Sequence, residues 1–325
     1  MKIPSYKNEI ACAILLVGAC FVGPLLSPYF ADANYLLQST TLFVELGLLA
    51  LGLTLVIATG NIDLSPASNL ALCGCVLAKL CASGMSPVIG VCLSVGLGGL
   101  LGLFNGLMTA WLRLPSFLVT LGTLAMFRGA AQALMGAESV PLPDSMTGVD
   151  RVFVGSSNVP VSLIVFIFGA ILTGVLVRST VFGRRILAVG SNERASVLSV
   201  VPTRRVTVAV FVFLGLIAGV CGVLMASRLG VARFDHAKGL ELEAITAVVL
   251  GGTSIMGGRA SVTGTVLAVL LIGVARTSMG LANIKAEIQM MVIGVVLITT
   301  LLFSGTNRWE RWGRFGPTES ATAKE

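Results

Sequence analysis

Apolar runs of about 20 residues, separated by short polar interruptions, recur along almost the whole chain. A helix of that length crosses a bilayer core about 30 Å thick. The spacing predicts ten spans, at 9–29, 36–58, 66–84, 87–112, 116–136, 160–178, 206–228, 242–257, 261–280 and 286–304. The third, eighth and ninth are the weakest, being short or interrupted by glycine and polar residues. The pattern describes an all-α, polytopic membrane protein with about ten transmembrane helices packed as one bundle, in a single domain over residues 1–325. Small residues recur at helical spacing within some spans. Ser94, Gly98, Gly102, Gly106 and Ala110 stand every fourth position, and Ala218, Gly222 and Ala226 repeat the pattern. Stripes of this kind let two helix backbones approach closely.

Three breaks in the apolar pattern carry more information. The first, "ATGNIDLSPASNLAL", places Gly60, Asn61, Asp63, Ser65 and Pro66 between two spans. Asp63 and Ser65 suit a helix N-cap and Pro66 suits a first turn, so a capped, tight junction is the plain expectation. Asn61 and Asp63 are also the candidates here for lining a translocation pathway. Irregular backbone at membrane depth survives only where protein or water covers it. The second break, "VVLGGTSIMGGRASVTG", has paired glycines at 251–252 and 257–258 that permit such backbone.

The third is the basic loop 179–205, with Arg184, Arg185, Arg194, Arg204 and Arg205 between two oily segments. Ser191 or Asn192 can cap a short helix there, Glu193 favours its N-terminus, and Pro202 ends it. Ala195, Leu198 and Val201 fall on one stripe of that helix. A helix of about two turns offers little apolar area for binding a lipid surface. A docking helix for a protein partner accounts for the same residues better, with Asn192, Glu193, Ala195, Leu198 and Val201 as contact points.

Composition agrees with the spans. The chain is 55% hydrophobic and 11% charged, with a mean hydropathy of +0.95; soluble domains carry about 25% charged residues. The net charge of +7 comes from basic residues that flank spans, which records topology and not a nucleic-acid partner. Ten spans put both termini on one side. Placing them in the cytoplasm puts 14 of the 22 Lys and Arg inside, with the central loop and the tail 305–325. The opening stretch has a positive start but no small-residue cleavage site, and reads as a retained first span. The seven cysteines all lie in apolar segments without disulfide or metal spacing, and read as packing residues.

Enzyme chemistry finds no support. His236, the single histidine, sits beside Asp235 in a loop and reads as solvated. No H-E-x-x-H, G-x-S-x-G or P-loop sequence occurs, so no metal site or cofactor is expected and ATP is not bound through a P-loop of this chain. Intramembrane charge is sparse. Glu45 lies well inside the second span and either lines a pathway or pairs with a neighbouring helix; Arg128 and Arg276 lie nearer the ends of theirs.

At this point four stretches resemble a known family, the membrane subunits of bacterial sugar-import ABC transporters of the ribose, galactose, rhamnose and autoinducer-2 type. "ATGNIDLSPAS" is similar to A-x-G-G-I-D-L-S-V-G-S, and "LRLPSFLVTLGTLAMFRG" to L-P-x-F-I-V-T-L-G-T-x-x-x-x-R-G. "GLELEAITAVVLGGTSIMGGRASVTG" resembles the family's G-x-E-L-D-A-I-A-A-V-V-L-G-G-T-S-L motif, and "GSNERASVLSVV" occupies the place of its coupling sequence G-x-N-x-x-A-A-x-x-S-G-I. The resemblance covers nearly the whole length. It departs at Asn61, Pro66 and Ala67, at Ser196 and Val200 in place of the coupling Ala and Gly, and at Ala260.

The resemblance implies an inner-membrane permease that moves a monosaccharide or related polyol-like solute. It implies a partner ATPase gripping the short cytoplasmic coupling helix, a periplasmic sugar-binding protein delivering the solute, and a second permease copy or paralogue beside it in the lipid. The loop "RFDHAKGLELE", with Arg233, Asp235, Glu241 and Glu243, is the expected contact for the delivery protein. An ion-coupled sugar transporter or a passive channel are the competing classes.

Overall fold

The computed structural model describes residues 7–26, 30, 32–136, 138–148, 159–285, 287–289, 291–292 and 294–295, and nearly all of the regular structure is helical. In chain order it contains α1 (Lys7–Leu26), α2 (Ala33–Ser39), α3 (Val44–Ala58), α4 (Pro66–Ala82), α5 (Pro87–Ala110) and α6 (Ser116–Met135). Then follow β1 (Val140–Pro141), α7 (Val161–Ser179), α8 (Val181–Ser191), α9 (Glu193–Leu198), α10 (Thr203–Leu229), β2 (Val231–Ala232), α11 (Leu240–Leu250) and α12 (Val262–Leu281).

Helix α3 is the centre. Its sequence, VELGLLALGLTLVIA, has no polar face, and all 15 of its residues are buried. Around it pack α10, α11 and α12 with α7 and α8, forming one apolar core. A second cluster joins α4 and α6 to the two short strands. The strands pair antiparallel, Val140 opposite Ala232 and Pro141 opposite Val231, and mark one end of the bundle. Helices α8 and α9 mark the other.

The small-residue stripes do what their spacing predicts. Gly98, Gly102 and Gly106 of α5 lie against α10, where a Cβ at Gly98 would overlap the Gly215 carbonyl and one at Gly102 the Phe211 carbonyl. Gly222, between the buried Ala218 and Ala226, packs against the Leu70 carbonyl of α4 at the same kind of range. Backbone contact of this closeness leaves no room for side chains and fixes how the helices cross. By contrast, the outward face of α5 (Val88, Ile89, Leu93, Leu100, Leu107) and that of α7 (Ile164, Ile167, Phe168, Ile171) are apolar and exposed, as surfaces in contact with lipid are.

Among the described residues five helices, α5, α6, α7, α10 and α12, are long and apolar enough to cross a membrane. A sixth span is added if α2 and α3 count together, although the chain bends by 55° where they meet at Phe43. The expectation of about ten spans is therefore met only in its coarser form, a mostly helical chain with several membrane-crossing helices. The predicted span 242–257 folds as α11, only 11 residues long. At 1.5 Å per residue it covers about 16 Å, and irregular backbone at the glycine pairs continues it. The predicted span 286–304 and the tail 305–325 lie largely or wholly outside the described residues.

Candidate functional site

The basic loop is more ordered than its sequence suggested. Thr180 caps α8, its hydroxyl accepting from the Gly183 N–H at 3.0 Å. Asn192 then caps α9, its Oδ1 accepting from the Ala195 N–H at 3.0 Å. The expected short helix thus exists, but a longer one precedes it, and Pro202 does not end it. The chain leaves α9 at Ser199, and Pro202 stands at the start of α10. Val200 takes the turn with a φ of 58°, a left-handed conformation that glycine adopts easily and a β-branched residue does not.

Helix α9 presents an uncovered apolar surface. Leu198 is 85% exposed, and Val197 and Val200 are exposed beside it. Asn192, Glu193 and Ala195 are also exposed, Val201 is half-buried, and Ser196 faces inward. The five expected contact residues therefore lie together at one end of the bundle.

That end is tied to the core by backbone contacts. Gly190, the penultimate residue of α8, lies so close to the Ala58 carbonyl at the end of α3 that a side chain there would overlap it. The Gly258 N–H donates to the same carbonyl at 2.9 Å. At the far side of this junction, the Ser261 hydroxyl caps α12 by accepting from the Gly264 N–H at 3.0 Å and donates to Glu9 of α1 at 2.5 Å. The second glycine-rich break is thus the seam where α1, α3, α8 and α12 meet.

Next to it lies a cleft of about 1260 Å³, walled by Thr59–Ile62 after α3, Thr109–Trp111 and Arg113–Phe117 where α5 passes to α6, and residues of α9 and the start of α10. Asn61 lines it, its amide donating to the Thr59 hydroxyl at 2.9 Å. Asp63 does not. It is buried, and its Oδ1 accepts from both the N–H and the hydroxyl of Ser65 at 2.7 Å. Ser65 in turn accepts from the Asn105 amide at 2.8 Å. Ser65 therefore precedes α4 without capping it by its side chain, and Asp63 bonds to Ser65 and not to a helical N–H, which corrects the expected caps.

Burial pushes the Asp63 carboxyl up to about 6, against the lowering effect of its bonds to Ser65 and Asn105. A carboxyl held above its unfolded value of 3.8 adds stability that is fully present below pH 3.8 and is lost as pH rises through about 6. Asp63→Asn keeps an acceptor for Ser65 and removes the titration. Between pH 4 and pH 7 the wild type should therefore lose on the order of 2 kcal/mol relative to D63N. Thermal unfolding of both proteins across that pH range measures the difference, and parallel curves would refute it.

Glu45 sits far from this end. It is buried in the first turn of α3, and Arg228 Nε of α10 donates to its Oε1 at 3.0 Å. Thirteen residues of α3, about 20 Å of helix, separate it from the end of α3 that leads to Asn61 and Asp63. Of the two readings open for Glu45, an ion pair with a neighbouring helix is present; the three pathway candidates are not brought together. Arg228 was the missed partner, hidden because it is remote in sequence.

The strand end carries the other charges. Arg233 and Asp235 pair with each other in two contacts of 3.0 and 2.9 Å at the surface. Glu241 is half-buried, and Glu243 turns inward to Arg276 of α12. Arg128 of α6 donates to the carbonyls of Phe234 and His236 at 2.5 and 2.7 Å, pinning this loop to the bundle. His236 is half-buried and not solvated as expected; burial lowers its pKa against the opposing pull of Asp235. Among the described residues no His, Cys, Asp and Glu group could hold a metal. All seven cysteines are unpaired, five buried and Cys20 and Cys92 on outward faces.

A helical bundle with apolar outer faces, buried glycine crossings and several helices long enough to span a bilayer is the build of a multi-pass membrane protein. The chain belongs to the family described as the permease component of branched-chain amino acid transport systems, which matches residues 35–301. It is similar to the Autoinducer 2 import system permease protein LsrD of Escherichia coli SMS-3-5, 34% identical over 302 residues that cover 91% of this chain and 92% of that one. The protein of the same name from Shigella flexneri is 33% identical over the same shares. No solved structure matches. The chain is accordingly a multi-pass transport component and not an enzyme.

Proposed function

We propose that the chain is the membrane-spanning permease subunit of an ATP-binding-cassette importer in the bacterial inner membrane. Its cargo is a monosaccharide or a related small polyol-like solute, with rhamnose, ribose and autoinducer-2-like molecules as the candidates. The observation that carries this reading is similarity to autoinducer 2 import permeases through 91% of the chain, helices α8 and α9 included.

In this reading α9 faces the cytoplasm with both termini, and a separate ATPase subunit, which binds the ATP, grips Asn192, Glu193, Ala195, Leu198 and Val201. A short helix anchored through Gly190 to the end of α3 makes a stiff lever, because backbone contact leaves no soft side chain between the two. The strand end faces the periplasm, where Arg233, Asp235, Glu241 and Glu243 belong to the surface that meets the sugar-binding protein. A second copy or a paralogous permease completes the pathway, and the ten-crossing topology holds with α11 and its irregular continuation as one crossing. Sugar hydroxyls are costly to bury without partners. A path lined by weak polar groups such as Asn61, and open to one side at a time, meets that need without trapping the solute.

The test uses vesicles containing the permease with its matching ATPase and binding protein, and labelled rhamnose, ribose or autoinducer 2. Uptake should persist when an ionophore collapses the ion gradients and stop when ATP is withdrawn. Uptake that dies with the gradient, or continues without ATP, rejects the reading in favour of an ion-coupled carrier or a channel.

A further inference from the structure

The cleft beside α9 shares Asn61 with the proposed solute path and Glu193, Leu198 and Val201 with the proposed ATPase contact, but its arginines have a part in neither. Four arginines line it, Arg113, Arg194, Arg204 and Arg205, against one acid, Glu193. Among the described residues Arg113, Arg194 and Arg205 form no ion pair, while Arg204 lies over the Trp111 ring at 5.7 Å. Thr109, also in the wall, has a buried hydroxyl without a hydrogen-bond partner. Arg113 is held at a φ of 55°, a left-handed conformation that is unfavourable for a non-glycine residue.

Immediately beside these groups the surface becomes oily. Trp111, Leu112, Leu114, Phe117, Leu118 and Leu121 are exposed where α5 ends and α6 begins. Tryptophan and arginine at helix ends, next to an outward apolar face, mark the headgroup layer of a membrane. We infer that this cleft seats the phosphodiester headgroup of an anionic phospholipid, with its acyl chains lying along the start of α6. Guanidinium groups suit phosphate because they present paired N–H donors at the spacing of its oxygens. A basic pocket between helices at the headgroup level is the kind of site that anionic lipids occupy. The volume of about 1260 Å³ exceeds what a single phosphate ion fills, and the adjoining apolar track gives a lipid a purchase that the free ion lacks. The inference rests on the proposed function only in assigning the site to the inner leaflet.

Tryptophan supplies the readout. The chain has three, and Trp309→Phe with Trp312→Phe leaves Trp111 as the only one. The full-length permease, without its ATPase, is placed in phosphatidylcholine vesicles containing phosphatidylglycerol or phosphatidylcholine brominated near the headgroup. Brominated phosphatidylglycerol should quench Trp111 at a mole fraction roughly tenfold lower than brominated phosphatidylcholine, and Arg113→Gln with Arg205→Gln should remove most of that preference. Equal quenching by the two lipids overturns the proposal, as does a preference that survives both substitutions. Millimolar inorganic phosphate should leave the preference intact; if it erases the preference, the site takes free phosphate and the lipid assignment fails. Transport is not measured, so an error in the assigned cargo or coupling partner leaves the result readable.

Discussion

Replacing Leu198 with Asp is expected to cut ATP-driven uptake at least tenfold while the subunit still folds, inserts and leaves its partner hydrolysing ATP. Leu198 is 85% exposed, so a carboxylate there meets water in the isolated subunit and disturbs nothing. Under the proposed function, in which α9 docks on a partner ATPase, the effect arises only on that docking. Seating a leucine in a groove of the ATPase contributes about 2 kcal/mol, and an aspartate both loses that and must shed its hydration. Each 1.4 kcal/mol is about tenfold in binding, so the grip on α9 weakens well beyond that factor. Leu198→Met preserves apolar volume and should behave as wild type. Uptake and ATP hydrolysis are measured in the same vesicles. Unchanged uptake by the aspartate variant would remove α9 from the contact surface.

A second large effect is expected at the crossing of α5 and α10. Gly102→Leu should destabilise the bundle by about 3 kcal/mol or more, because the new side chain would occupy the position of the Phe211 carbonyl. A backbone carbonyl in a packed helix cannot swing aside, so the helices must separate and the neighbouring contacts at Gly98 and Gly106 are lost with it. Gly96→Leu, on the outward face of the same helix with nothing near its Cβ position, is the control and should shift stability by less than about 0.5 kcal/mol. Thermal unfolding of the detergent-solubilised proteins separates the two. If both variants unfold alike, close backbone contact is not what holds the bundle together.

These two positions also show which features can be read from one strand of letters. The stripe through Gly98, Gly102 and Gly106 is legible because a helix repeats every 3.6 residues, so every fourth small residue must share a face whatever the rest of the chain does. Asn192 as a cap is legible for a similar reason: its bond runs only three residues ahead, to Ala195. Helix α8 was not legible. Its arginines, Arg184 and Arg185, disguised an 11-residue helix as a polar loop, because their long side chains point outward while Gly183, Ile186 and Val189 pack inward. The expected span at 242–257 is not one continuous helix, for the opposite reason. Residues 242–257 are apolar enough to cross, but Gly251 lies against the backbone of Gly264 and Gly252 holds a φ of 93°, which ends the helix early.

The sequence by itself determined what depends on composition and short spacing. Those are a lipid-embedded helical chain, the stripes along which its helices touch, the capped turn before α9, and membership of a permease family through motifs spread over its length. Tertiary structure alone decided which distant groups meet. It paired Glu45 with Arg228 and Glu243 with Arg276, set Gly190 against Ala58, and gathered arginines from two separate loops around one cleft. The physical reason is range. Helical period and capping act over three or four residues, whereas the Glu45–Arg228 ion pair joins positions 183 residues apart, and only the packing of α3 among its neighbours sets which of them come within reach.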